Sequence, residues 1–389
     1  MQERLYYSQP DVFAWETKIV SYGKKGDLYD VILEETAFYP EGGGHPSDTG
    51  AIAGLTVKDV FKQDDVVHHI LPSLPSAEKV SCQIDSRRRI DHTQQHTGQH
   101  LLSAVCIELF NAPTVSFHLG IETVTIDIEI PDLTFDMVKQ IEQRTNEYIY
   151  QNRKINTYYV TEAELESLPI RKMPKVRENI RIVEIDGIDV SACAGTHVKQ
   201  TAEIGTLKIL KTEKQKNNTR VYFICGFRAI ADYQETHDTV MALSAKFSTN
   251  RNGLADRIEK LQQDQKKLEK ENAILKEQLL AYRAEKMLSS TENGFLIQSF
   301  DDIPFKEVQL LSTQIIKKAD IVVLLVAESE NKVMLAHNGF SEVHPGLIFK
   351  ENVTEFNGRG GGSNKTAQAG FPSKEDCSRF VQLISSMLG

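Results

Sequence analysis

The stretch RRRIDHTQQHTGQHLLSAVCIELF, Arg87 to Phe110, decides how this chain is read. Leu101, Leu102, Val105 and Leu109 recur at helical spacing, and Asp91 stands where a capping acid would open the helix. On that helix His96 and His100 share one face a turn apart, the spacing at which two imidazoles can hold one metal ion. Far downstream, Cys193 and His197 repeat the step in SACAGTHV, where Ala194, Gly195 and Thr196 favour a tight turn presenting a thiolate and an imidazole. Lone histidines and cysteines are usually ordinary core or polar-face residues, but two such pairs in one chain point to a metal. Three nitrogens and a sulfur suit tetrahedral Zn²⁺. His92, on the same helix face, is a spare ligand candidate. A peptidase of the H-E-x-x-H type needs a glutamate after the first histidine, and Thr97 stands there. The site therefore suits an intrinsically labile bond such as an activated ester. Four protein ligands normally make a closed structural site, so catalysis requires a displaced ligand, an expanded shell or a metal that orients substrate.

Outward from the helix, residues 16–85 carry short β-rich runs separated by glycine-bearing or charged turns, which predicts a small antiparallel barrel or sandwich. Its segment TAFYPEGGGHPSDTG, residues 36–50, has three consecutive glycines that let a ligand approach the backbone and turn amides toward an anion. Beyond the helix, a strand-like TVTIDIEI, a helix from about Phe135 to Asn152, and three further strand segments build an α+β domain. Leu254, Leu261, Leu268 and Leu275 then recur every seven residues, predicting a short coiled coil or long helical hairpin that pairs copies of the chain or folds on itself. The last hundred residues read as an α/β unit with a glycine-rich loop, FNGRGGGSNKTAQAGFP, where Arg359 and Lys365 could contact phosphates. The fold class is thus α+β, in four parts: a glycine-motif β-barrel over 1–90, a zinc-binding domain over 91–240, a helical arm over 241–290 and a C-terminal globular domain over 291–389.

With 40% hydrophobic and 25% charged residues the chain is neither fibrous nor wholly disordered. Its 45 Lys+Arg against 54 Asp+Glu leave a net charge of -9, so nucleic acid must be held by local patches rather than a global field. Two such patches are Arg87, Arg88 and Arg89 beside the metal helix, and Lys208, Lys211, Lys214, Lys216 and Arg220 on a strand-turn-strand. Five scattered cysteines argue against a disulfide framework and for a reducing compartment. No basic-then-apolar leader opens the chain and the longest aliphatic run, Ile321 to Ala327, is far too short for a bilayer, so a cytoplasmic protein without a membrane partner is expected.

HTGQH followed by CAGTH resembles the metal motifs of the alanyl-tRNA synthetase editing domain, and FYPEGGGHPSDTG resembles the glycine motif preceding them there. The heptad arm and NGRGGG segment are similar to that synthetase's C-terminal domain. No ATP-handling motif appears, so the chain resembles a freestanding editing protein, the long form of the AlaX family. That resemblance implies hydrolysis of the ester joining chiefly serine, and secondarily glycine, to alanine tRNA. It implies His96, His100, Cys193 and His197 as zinc ligands, and Thr36 as the group that hydrogen-bonds a serine hydroxyl, with Gly42, Gly43, Gly44 and His45 lining the substrate. It also implies tRNA contacts or dimerisation through the arm and C-terminal domain. His45 stands where the motif often has glutamine, bringing a group that could charge near neutral pH, and Ala194 where the metal motif often has glycine. No general base is named. The competing readings are a catalytically silent, zinc-stabilised tRNA-binding protein and a zinc hydrolase of a small metabolite.

Overall fold

A computed structural model describes residues 2–42, 44–174, 178–291 and 294–388. They fall into two compact units, Met1–Leu243 and Ser244–Gly389. In the first, a seven-stranded antiparallel sheet contains β1 (Ala14–Lys25), β2 (Leu28–Leu33), β3 (Gly50–Ile52), β4 (Leu55–Thr56), β5 (Asp59–Gln63), β6 (Val66–Leu71) and β7 (Lys79–Ile84), in the order β4-β3-β7-β1-β2-β6-β5. β1 serves both halves: residues 14–18 pair with β7 and later ones with β2, across a bulge between Ile19 and Ser21. That bulge curls the sheet around Val31, Leu33, Phe38, Ile52 and Leu71, all fully buried. The expected barrel does not close. Its edge strands β4 and β5 do not pair, because β4 spans two residues and offers too short a ladder.

The metal-motif helix is α2 (Ser86–Phe110), preceded by a one-turn α1 (Leu5–Ser8). α2 begins earlier than the sequence reading placed it. Asp85 is the cap, accepting from the Arg88 amide at 3.1 Å, whereas Asp91 lies inside the helix and binds Arg228 and Gln95. Leu101, Leu102, Val105 and Cys106 pack on a four-stranded sheet, order β8-β9-β14-β13, made of β8 (Thr114–Leu119), β9 (Val124–Ile128), β13 (Leu207–Gln215) and β14 (Asn218–Cys225). Ile141 and Ile149 of α3 (Phe135–Tyr150) close the same core, and α3 starts at Thr134, whose hydroxyl caps the Met137 amide. A three-stranded sheet, β10 (Ile155–Val160), β11 (Ile180–Ile185) and β12 (Asp189–Ala192), delivers the second metal motif at the end of β12. Helix α4 (Gly226–Lys246) follows β14.

In the second unit α5 (Leu254–Ser289) carries the heptad leucines. Leu280 and Ala284 are buried against Val308, Leu311 and Ile315 of α6 (Phe305–Lys318), while Leu261, Leu268 and Leu275 are exposed, so the expected coiled coil has no facing helix within this unit among the described residues. The rest is a five-stranded mixed sheet, β15 (Phe295–Phe300), β16 (Val322–Ala327), β17 (Lys332–Ala336), β18 (Arg359–Gly362) and β19 (Thr366–Gly370), with α7 (Pro345–Asn352) and α8 (Lys374–Leu388). The expected glycine-rich loop is a hairpin: Arg359–Gly362 form an edge strand paired with β19. No helix among the described residues is long and apolar enough to cross a membrane.

Candidate metal centre

His96 and His100 from α2 meet Cys193 and His197 from the turn after β12, and one donor atom from each lies within 4.8 Å of all the others. Two edges are well defined, Cys193 Sγ to His96 Nε2 at 3.5 Å and to His197 Nε2 at 3.4 Å. A tetrahedral shell with bonds of about 2.0–2.3 Å separates its donors by roughly 3.3–3.8 Å, so these two edges fit a metal ion of that geometry. The spare candidate His92 is not one of the four.

Neighbouring groups turn the lone pairs of two of the imidazoles inward. The Thr97 hydroxyl donates to the Thr93 carbonyl at 2.8 Å and so receives the His197 Nδ1 hydrogen at 3.2 Å, which leaves Nε2 free to ligate. His100 Nδ1 faces the Asp189 carboxylate at 3.3 Å; Arg171 at 3.0 Å and the Ser191 hydroxyl at 2.8 Å complete that carboxylate's shell. His96 Nδ1 is buried without a partner and packs on Gly195, where a Cβ would stand 2.2 Å from it, so this position admits only glycine. Burial alone would lift the Cys193 thiol, but the imidazoles of His96, His197 and His100 reverse this and hold it well below the ordinary thiol range. Burial likewise disfavours a charged His197, whose pKa falls to about 3, a neutral ligand state. Cys193 is the one ligand residue of the four that is only half-buried.

The turn from Cys193 to Gly195 is held by its carbonyls. Tyr7 and Tyr39 hydroxyls donate to the Ala194 oxygen at 2.7 and 3.1 Å, and Arg181 Nη1 donates to the oxygens of Cys193 and Gly195, both at 2.9 Å. The glycine motif lies alongside. Gly42 and His45 close a tight turn through reciprocal backbone hydrogen bonds of 3.1 and 3.0 Å, Gly44 takes φ +80° against the Phe117 ring, and Gly43 lies outside the described residues. Phe117 stacks on His96, 5.5 Å between centroids.

His45 is fully buried and is not a surface group awaiting substrate. Its Nδ1 lies 2.9 Å from the Pro46 carbonyl, which can only accept, so Nδ1 carries the hydrogen and Nε2 accepts from Thr196 at 2.9 Å. Thr196 then accepts from Thr93 at 2.7 Å. Burial and the nearby His96 hold His45 well below its ordinary pKa, so it stays neutral with one donor and one acceptor end, as a glutamine would. Thr36 is also fully buried, with its oxygen accepting from the Phe38 amide at 3.1 Å and its hydroxyl 2.9 Å from His69 Nε2. Because His69 Nδ1 donates to the Val31 carbonyl at 3.0 Å, Thr36 donates to His69 and keeps one lone pair.

The basic clusters divide. Arg89 is 2% exposed, ion-paired with Asp48 and bonded to the Ala37 carbonyl, and Arg88 Nε bonds the Ser47 carbonyl at 3.1 Å. These two arginines rivet the glycine motif to α2, and Arg87 alone of the three is exposed. Lys208 pairs with Glu142, Lys211 with Glu213, Lys214 with Asp132 and Arg220 with Asp127, whereas Lys216 has no carboxylate among the described residues. Arg359 and Lys365 are exposed and belong to the second unit. The sequence reading missed Asp189, Tyr7, Tyr39 and Arg181. A signal existed for Asp189: in a strand, Asp189, Ser191 and Cys193 share one face.

Residues 180–222, which include β11 and the metal turn, match the family described as threonyl and alanyl tRNA synthetase second additional domain, and residues 5–88 match that described as tRNA synthetases class II (A). The alanyl-tRNA editing protein AlaX-L of Pyrococcus horikoshii is 32% identical over 396 residues, covering 97% of this chain and 96% of the relative. Alanyl-tRNA editing protein Aarsd1-B of Xenopus laevis is 32% identical over 286 residues, 72% of this chain and 69% of its own. An alanine–tRNA ligase of Ignicoccus hospitalis is 30% identical over 406 residues, 99% of this chain but 42% of the ligase. End-to-end similarity to AlaX-L, with a four-donor centre where the two histidine-bearing motifs meet, shows that this chain belongs to the AlaX family of alanyl-tRNA editing enzymes.

Proposed function

We propose that the protein is a zinc-dependent deacylase that hydrolyses the aminoacyl ester of mischarged alanine tRNA, serine-charged first and glycine-charged second. The observation that carries this reading is the His96–His100–Cys193–His197 centre, joined to the glycine motif through His45 and Thr196. These four residues would hold zinc, which when bound supplies Lewis acidity and fixes the position of a substrate group. The chain's own contribution is positioning and exclusion of water. Asp189 and Thr97 orient two of the imidazoles, Arg181, Tyr7 and Tyr39 fix the metal turn, and His45 joins that turn to the glycine motif. No carboxylate belongs to the cluster among the described residues, which agrees with a labile ester rather than an amide as the bond cleaved.

For serine we place Thr36 as the hydroxyl reader, acting only as an acceptor because its own hydrogen is committed to His69. Thr36 is fully buried, so this reading requires the side chains around it to part as substrate enters. A site built around a hydroxyl discriminates well, since alanine leaves the polar group unpaired. The tRNA body would be held by exposed cations, Arg87 and Lys216 in the first unit and Arg359 and Lys365 in the second, and a homodimer through the exposed leucines of α5 would add a second anchor. Multiple-turnover hydrolysis of alanine tRNA charged with serine, glycine or alanine tests the reading. Rapid loss of serine with alanine spared is expected; stoichiometric binding without hydrolysis would leave a silent tRNA-binding protein.

A further inference from the structure

Arg181 is a cation whose donors are only partly used. It lies on β11, directly opposite Tyr159 of β10, and its backbone carbonyl accepts the Cys193 amide at 3.0 Å. Nη1 is committed to the carbonyls of Cys193 and Gly195, and the guanidinium carbon stands 4.5 Å from the centroid of the Tyr7 ring. Among the described residues Nε and Nη2 have no partner and no carboxylate pairs with the side chain. Lys208, Lys211, Lys214 and Arg220, by contrast, are each neutralised by an acid. Two carbonyls and a ring thus hold a half-exposed, unpaired guanidinium in one orientation with its remaining donors unused, a preorganised fork for an oxyanion. Tyr159, across the ladder, is 58% exposed and offers a ring face beside it.

We propose that Arg181 and Tyr159 form the subsite for the 3′-terminal nucleotide of the charged tRNA, Arg181 taking its phosphate and Tyr159 stacking on its base. The assignment rests on the deacylase reading above. The scissile ester sits on the terminal ribose, so that nucleotide's own phosphate must be bound close to the metal turn. Arg181 grips the carbonyl of Cys193, the least buried of the four metal-site residues, and a cation next to an exposed aromatic ring is how single-stranded nucleic acid is commonly held. Positive charge elsewhere on the chain can hold the tRNA body, whereas this pair acts on the end that carries the ester.

The test compares serine esterified to the ribose of adenosine with serine esterified to the ribose of adenosine 5′-monophosphate. Wild type is expected to favour the phosphorylated ester by about tenfold or more in kcat/KM, the worth of a charge-assisted hydrogen-bonded pair. Arg181→Gln, which keeps an amide donor for the carbonyls, should bring the two esters to within about twofold, mainly through KM, with zinc content unchanged. On serine-charged alanine tRNA it should raise KM and lower the salt dependence by about one ion. Tyr159→Ala should raise KM for both esters and Tyr159→Phe should not. A phosphate preference that survives Arg181→Gln, or a wild type with none, overturns the subsite. Equal loss on both esters together with loss of zinc would make Arg181 a brace of the metal turn only. A wild type that leaves charged tRNA intact would refute the deacylase reading itself.

Discussion

Replacing Asp189 by asparagine should loosen the metal without removing a ligand. Asp189 is 5% exposed, and its two oxygens serve His100, Arg171 and Ser191 at 3.3, 3.0 and 2.8 Å. Burial by itself would raise this carboxylate's pKa, but His100 and Arg171 outweigh it and keep the group ionised. The charge therefore stabilises the donor tautomer of His100 and turns its other nitrogen to the centre. An asparagine can accept from only one of its two atoms, loses the charge, and leaves Arg171 beside a neutral group. Loss of such an outer partner typically weakens metal binding about 10–100-fold, or roughly 1.4–2.7 kcal/mol. Competition with a fluorescent zinc chelator at neutral pH measures this directly, with circular dichroism as the check on folding. A folded Asp189→Asn protein with unchanged zinc affinity would show that the His100 contact does not support the site.

Other perturbations follow from the same geometry. Thr36→Val should erode serine-over-alanine discrimination on charged alanine tRNA; unchanged relative rates would show that Thr36 reads nothing. Burial holds His69 at a pKa of about 4 against an unfolded value near 6.5, so the unfolded chain binds the extra proton between those values. His69 stability is thus complete above about pH 6.5 and is lost as pH falls toward 4, about 3 kcal/mol in all, which His69→Phe should remove from the pH dependence of urea unfolding of the first unit. An identical slope in that variant would exclude His69 as the source. Arg89→Met should strand the buried Asp48 carboxylate and cost about 3–5 kcal/mol by denaturant unfolding. A cost under about 1 kcal/mol would mean that water reaches the pair.

Much of the centre was legible because its motifs are local. His96 and His100 one turn apart, and Cys193 and His197 around a glycine, announce a shared partner before any fold is known. The supporting shell was less legible, because Asp189 reaches His100 across 89 residues and Tyr7 reaches Ala194 across 187. Strand parity from Cys193 could have pointed to Asp189, but nothing near Tyr7 or Arg181 signals a metal turn. Asp91 is not the cap because Asp85, six residues upstream, takes that role and the arginines between lie inside the helix, two of them directed at the glycine motif. The barrel reading failed for a related reason. Strand alternation reports which side faces the core, whereas closure depends on edge strands too short to leave a pattern. In α5 the heptad leucines Leu261, Leu268 and Leu275 stay exposed, and the helix is held instead by Leu280 and Ala284, which lie off the heptad stripe on another face.

The central claim is that this metal centre clears a wrong amino acid from alanine tRNA. Multiple-turnover deacylation of serine-charged alanine tRNA by wild type and by a folded Cys193→Ala variant tests it most directly, with serine-charged serine tRNA as control and zinc content measured on both proteins. Rapid clearance of the mischarged tRNA alone is expected, lost together with zinc in the variant. Hydrolysis that persists in a zinc-free Cys193→Ala protein, or tight binding without turnover in wild type, would contradict it.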